Sequence, residues 1–140
     1  GEMIVQTQTT SFKVELYQAV HNFTTDDIKI ALYTSSVTLD EDTTAYSTEN
    51  EISGTGYVAG GKSMTGITID SSGSTAFISF DNVLWNPAAF TTRCALIYNA
   101  SKSNKSIAVL DFGSDKTCTN SFQITMPAAT ASAALIRSSN

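Results

Sequence analysis

The sequence predicts a mainly β fold: an antiparallel β-sandwich of about seven strands with one short N-terminal helix. Three observations carry that expectation. Seven segments, at 28–34, 63–69, 75–81, 91–99, 107–112, 121–126 and 131–137, alternate their apolar residues with a period of two, the repeat of a strand with distinct faces. Turn-forming Gly, Ser, Asn and Asp residues separate most of them. Helical spacing appears over one stretch only, 12–21, where Phe12, Leu16, Ala19 and Val20 recur on one side.

The stretch from Thr91 to Gly113 organises the rest. In its first half Cys94, Leu96 and Tyr98 fall on one face and Arg93, Ala95 and Ile97 on the other. In its second half Ala108, Leu110 and Phe112 oppose Ile107, Val109 and Asp111. Both faces are partly apolar, so the pair is expected at the centre of a sheet or covered on both sides. Leu96 and Leu110 are expected in one shared core.

The other elements follow in order. Residues 1–10 form an N-terminal arm, with 3–10 readable as a loose segment or an edge strand. Gly1 and Glu2 ahead of Met3 look like the remnant of an expression tag. Ser11 is the expected N-cap of the helix. One domain is expected over 11–137, with 138–140 fraying. Between the first two strands lies a long polar excursion, 38–61, which holds Asp40, Glu41, Asp42, Glu49 and Glu51 and ends in the Gly-rich run 54–61. Residues 82–90, with Pro87, read as an irregular apolar connection, because proline lacks the N–H that a central strand needs.

A chain of 140 residues with 41% hydrophobic and 15% charged residues builds a core without a metal or disulfide. The formal charge is −5 with only eight Lys and Arg, too few for the basic footprint of a nucleic-acid binder. No direct nucleic-acid contact, membrane span, metal or other cofactor is expected, and no cleavable leader is legible. Cys94, set among core residues, reads as a buried free thiol; pairing with Cys118 stays open.

Catalytic patterns are thin, and no enzyme is expected. Gly54-Thr55-Gly56-Tyr57-Val58-Ala59-Gly60-Gly61 resembles a phosphate loop, but its glycine spacing differs from the nucleotide fingerprints. His21 is the only histidine and suits a helix end. Asp40, Glu41 and Asp42 lack the spacing of a calcium loop. Asp26 with Asp27, or Asp81 with Asp111, offers carboxylate pairs that the sequence does not force together. Tyr33, Tyr46, Tyr57, Trp85 and Tyr98 could line a sugar-binding face. Tyr46, Ile52, Tyr57 and Val58, large groups interrupting a polar excursion, are the candidate interface, since aromatic anchors dominate contact surfaces.

Several stretches resemble a pattern found in small structural proteins of tailed bacteriophages. They include His21-Asn22-Phe23-Thr24-Thr25-Asp26, Ile28-Lys29-Ile30-Ala31-Leu32-Tyr33-Thr34-Ser35-Ser36, Glu51-Ile52-Ser53-Gly54-Thr55-Gly56-Tyr57, Ala95-Leu96-Ile97-Tyr98-Asn99 and Ala108-Val109-Leu110-Asp111-Phe112-Gly113. The resemblance spans nearly the whole chain and carries over no catalytic residue. It implies a virion component assembled in the host cytoplasm, homo-oligomeric and in contact with other virion proteins of capsid or tail. Capsid decoration or another head-associated place comes first, then a tail or adsorption component. A carbohydrate-binding module and a hydrolase with an unfamiliar site are the readings from other classes.

Overall fold

The computed structural model describes residues 5–139. Expectations for Gly1, Glu2, Met3 and Asn140 lie outside them. Among the described residues, ten strands and one helix follow in the order β1 (Val5–Gln8), α1 (Thr10–Tyr17), β2 (Ile28–Tyr33), β3 (Lys62–Ser63), β4 (Thr68–Ser72), β5 (Thr75–Ser79), β6 (Val83–Trp85), β7 (Phe90–Asn99), β8 (Lys105–Cys118), β9 (Phe122–Ile124) and β10 (Ile136–Ser138). The fold is predominantly β with antiparallel sheets. A five-stranded sheet runs β1-β8-β7-β2-β3, a three-stranded sheet β10-β5-β4 and a two-stranded sheet β6-β9.

The expected centre is where the period placed it, since β7 and β8 lie between β1 and β2. Directly paired residues share a face, and the pairs decide the core. Ala95 pairs with Leu110 and Ile97 with Ala108; Leu96 pairs with Val109 and Cys94 with Asp111. The first set joins the main core with Phe12, Ile28, Ile30, Leu32, Trp85, Phe90 and Ile124. The second set faces the opposite side with Ala31, Tyr33 and Tyr98. Leu96 and Leu110 are therefore both buried but in different cores, which corrects the single shared core. Adjacent strands put their direct partners on one side, and Leu96 is the partner of Val109.

Ile107 also departs from strict alternation. The register shifts between Ile97 and Tyr98, leaving Ile107 as an extra residue that turns into the main core beside Ala108, as a β-bulge allows. A larger irregularity between Thr92 and Cys94 lets the ladder run on through 113–116, a Gly-Ser-Asp stretch of turn-forming residues. The segment stays within a single 14-residue strand, β8.

Other boundaries moved for local reasons. Thr9, not Ser11, caps α1, its hydroxyl accepting from Phe12 N–H at 3.3 Å. The helix ends at Tyr17 because Ala19 takes a left-handed φ of 58°. Val20 N–H then returns to the Glu15 carbonyl and Ala19 N–H to that of Leu16, the two bonds of a Schellman end. Phe12 alone is buried on α1, while Val14 and Tyr17 are exposed; the helical face expected through Leu16 and Ala19 is not the packed one. The strand expected over 63–69 is broken around Gly66, which turns at a φ of 61°, and β4 begins at Thr68. Residues 83–85 form a strand before Pro87 where an irregular connection was expected, and only 136–138 of the last segment are extended in a ladder.

Truncating Leu110 or Leu96 to Ala is expected to cost about 2–5 kcal/mol each, from lost transfer energy and the cavity left. Because the two occupy different cores, equilibrium urea unfolding of the double variant should give the sum of the losses within about 0.5 kcal/mol. A coupling above about 1 kcal/mol would place them in one core.

Candidate functional site

The excursion after β2 is a strap that crosses the second face of the five-stranded sheet. Val37 and Leu39 lie on its second core. The Glu41 carbonyl accepts from Thr10 N–H at 2.8 Å, tying the acidic turn to the start of α1. The strap then runs beside β8 where β1 has ended: Ser106 N–H donates to the Thr44 carbonyl and Tyr46 N–H to that of Asn104, each at 2.9 Å. Buried Ser106 donates its hydroxyl to the Thr43 carbonyl at 2.6 Å and contacts the Thr9 hydroxyl at 2.9 Å. The chain returns to the opposite side of the sheet along β2, where Ile52 N–H reaches the Leu32 carbonyl at 3.0 Å and Thr34 N–H that of Asn50 at 2.9 Å.

Glu51 closes the strap. One carboxylate oxygen accepts from the Tyr46 hydroxyl at 2.7 Å. The other accepts from the Tyr57 hydroxyl and from Gly60 N–H, the latter at 2.8 Å. Tyr46 stacks on Tyr98 at 4.6 Å and 16° in the second core. Tyr57 packs against the main core near Trp85 and Phe90 and accepts from Leu32 N–H at 3.0 Å. One carboxylate thus joins side chains from both faces around the sheet edge. Tyr98 donates to the Gly60 carbonyl and Tyr33 to that of Ser47, both at 2.6 Å.

Glycine is required where the strap descends. Gly61, at φ 80°, lies so close to the Ile30 carbonyl that a Cβ would overlap it, and Gly56 stands likewise against Pro87. The Gly-rich run serves close backbone approach and leads into β3, with no helix behind it to make a phosphate site.

Of the four residues expected to anchor a neighbour, Ile52 is buried in the main core, Tyr46 and Tyr57 are half-buried with their hydroxyls on Glu51, and Val58 is 74% exposed. Ile52, Tyr46 and Tyr57 thus make contacts within their own chain, while Val58 stands open on the strap. The supposed sugar-stacking aromatics are used in the same way: Tyr33, Trp85 and Tyr98 are buried. Sequence spacing had not foreseen Glu51 as the shared acceptor, because its partners come from five residues upstream to nine downstream on a segment with no period.

His21 sits in a second polar cluster. Its ring is fully buried beside Phe12 at 5.0 Å. The Asn99 amide nitrogen donates to Asp26 at 2.8 Å and meets His21 Nδ1 at 3.0 Å. Its oxygen accepts from Ser101 N–H at 3.1 Å. Nδ1 is therefore the acceptor and Nε2 donates to Glu15 at 2.9 Å. Lys102 contacts both Asp26 oxygens, at 3.0 and 2.9 Å, and donates to the Val20 carbonyl. Burial alone would raise the Asp26 pKa, but hydrogen bonds from Asn99, the Asn22 backbone and Lys102 outweigh it and bring it to about 2. The cluster fastens the α1–β2 connection to the β7–β8 turn, and both nitrogens of its histidine are engaged.

The remaining candidates are apart. Asp27 accepts from Ser63 and Asp81 from Thr65. Asp111 lies 3.2 Å from Arg93 and is held below the usual carboxylate range by the Gly113 N–H and by Arg93. Asp40 caps its own turn through Asp42 N–H, and no group of three or more metal-ligating side chains gathers among the described residues. Cys94 and Cys118 are both free thiols, and burial pushes Cys94 up to about 11. No protein-family model, curated protein or solved structure matches the chain.

The strap's tyrosines set a pH dependence. Burial raises Tyr98 to about 12 and raises Tyr33, Tyr46 and Tyr57 further, with the hydrogen bond to Glu51 and its charge adding to the last two. Unfolded tyrosines ionise near the ordinary value of 10.0, so above that pH the unfolded chain binds fewer protons than the folded one and stability falls. Urea unfolding should show stability unaffected by these groups below about pH 10 and declining steadily from there through about pH 12. A flat profile across that range would contradict the buried, neutral tyrosine cluster.

Proposed function

We propose that the chain is a structural subunit of a tailed-phage virion, head-associated as a capsid decoration protein or a close equivalent, acting by protein–protein contact. The reading rests first on the sequence resemblance, which runs through β2, the strap and the β7–β8 pair. It is supported by one structural observation: two exposed large side chains stand together on a helix that is itself pinned. Val14 and Tyr17 are one helical turn apart on α1, 52% and 95% exposed, and neighbours at that spacing form one patch. The helix beneath them is fixed by Phe12 in the core, by Thr9 at its cap and by the Glu15–His21 pair. Aromatic anchors presented on a rigid base bind at low entropy cost.

In this reading the contact surface is the outer side of α1, with Val58 a separate exposed group on the strap, and the partner is a neighbouring virion subunit. The layers complete the proposed architecture. The five-stranded sheet faces the two small sheets across the main core as an antiparallel β-sandwich, with the strap covering its other side. The role is mechanical, and no residue is assigned a catalytic part.

Replacing Val14 and Tyr17 together by Ser should leave the circular dichroism spectrum and unfolding midpoint close to the parent. Incorporation into particles, measured by sedimentation, should fall by at least about tenfold, since an anchor of this kind is worth about 2 kcal/mol. Undiminished incorporation would reject α1 as the contact. Absence of the parent protein from purified particles would reject the virion role itself.

A further inference from the structure

A groove with a volume of about 1160 Å³ opens between the last part of β8, β9 and the segment near Pro127 and Ala133. Its floor is aromatic. Phe122 is half-buried and lines the groove with Phe112, whose ring is 6.0 Å away, and it also packs against Phe90 at 5.5 Å and Trp85 at 6.0 Å. A ring held by three others keeps its orientation when its remaining surface is covered.

Around that floor the lining is polar but almost without charge. Asn120, Ser121 and Gln123 contribute amides and a hydroxyl, with threonines on either side, and all three residues are exposed. The charged lining residues are one Asp and one Lys, Asp115 and Lys116, so the groove carries no net charge to attract a phosphate, a carboxylate or a cation. Side-chain amides act as donor and acceptor at once, which suits a ligand with many hydroxyls. An apolar ring face set among neutral donors and acceptors matches a pyranose, which has an apolar C–H face and an equatorial belt of hydroxyls. The volume exceeds what one sugar ring fills and lies just above the usual range of small-molecule sites, about 300–1,000 Å³.

We propose that this groove is a binding site for a neutral oligosaccharide, with Phe122 as the stacking platform and Asn120, Ser121 and Gln123 as the hydroxyl partners. No residue of α1 lines the groove, and the proposal does not depend on the virion reading. A virion subunit or an unrelated protein with this groove would bind the same chemistry.

The test is titration of the full chain, followed by backbone amide NMR, with maltohexaose, cellohexaose, N-acetylchitohexaose and mannohexaose. At least one sugar should shift amides confined to 117–125, with a dissociation constant on the order of 0.1–1 mM. Asn120→Ala with Gln123→Ala should weaken that binding by at least about tenfold and leave the unfolding midpoint unchanged, because both side chains are exposed. Phe122→Leu, which keeps an apolar side chain, should abolish the shifts while the rest of the spectrum stays folded. No shifts with any sugar at about 10 mM would overturn the proposal. So would shifts unaffected by the double variant, or an uncharged Ser/Thr hexapeptide moving the same amides when no sugar does.

Discussion

The carboxylate of Glu51 is the constraint on which the arrangement turns. A half-buried carboxylate left without donors would be costly, and so would buried tyrosine hydroxyls without acceptors. Here each satisfies the other, and the backbone N–H of Gly60 supplies a third donor. The consequence is geometric. Tyr46 belongs to the core on one side of the five-stranded sheet and Tyr57 to the core on the other, so the single carboxylate ties both layers together past the edge of β2. Glycines without side chains then let the strap lie against Ile30 and Pro87.

The second polar cluster does similar work at the far end of β7. Asn99 has no exposed surface, and its amide is fully used by His21, Asp26 and Ser101. Together with Lys102 it holds the α1–β2 connection against the turn that joins the central strands. The long irregular segments before and after β2 are thus both fixed by buried polar groups at opposite ends of the sheet. Such groups specify one arrangement because any shift leaves a donor or acceptor unpaired. That rigidity reaches α1, whose exposed Tyr17 stands on a helix held by Phe12 and by the Glu15–His21 pair.

Alternation of side chains made the central strands readable, since Ile28–Tyr33 and Phe90–Asn99 are buried on two faces and paired along their lengths. It failed where the backbone breaks period. The bulge at Ile107 and the irregularity opposite Arg93 let β8 continue through a stretch that reads as a turn. Ala19 ends α1 in a left-handed conformation usually given to Gly or Asn, so nothing in the sequence marked the stop. The site was less legible than the fold. Tyr46, Ile52 and Tyr57 stood out as apolar groups in a polar run, but their direction depends on Glu51, whose donors lie five, six and nine residues away on a segment of no regular structure. Residue type showed that they must be covered; only the tertiary path shows that their own chain covers them.

The central claim, that residues 43–61 are an integral layer of the domain closed by Glu51, is tested most directly by native-state amide hydrogen exchange. The informative amides are those of Tyr46, Ile52 and Gly60, bonded respectively to the Asn104 carbonyl, the Leu32 carbonyl and the Glu51 carboxylate. The account predicts that they are protected by at least about a hundredfold over an unstructured chain and that Glu51→Gln lowers their protection together, while amides at the centre of β7 keep theirs. Exchange of these three amides in the parent at unstructured-chain rates would contradict it.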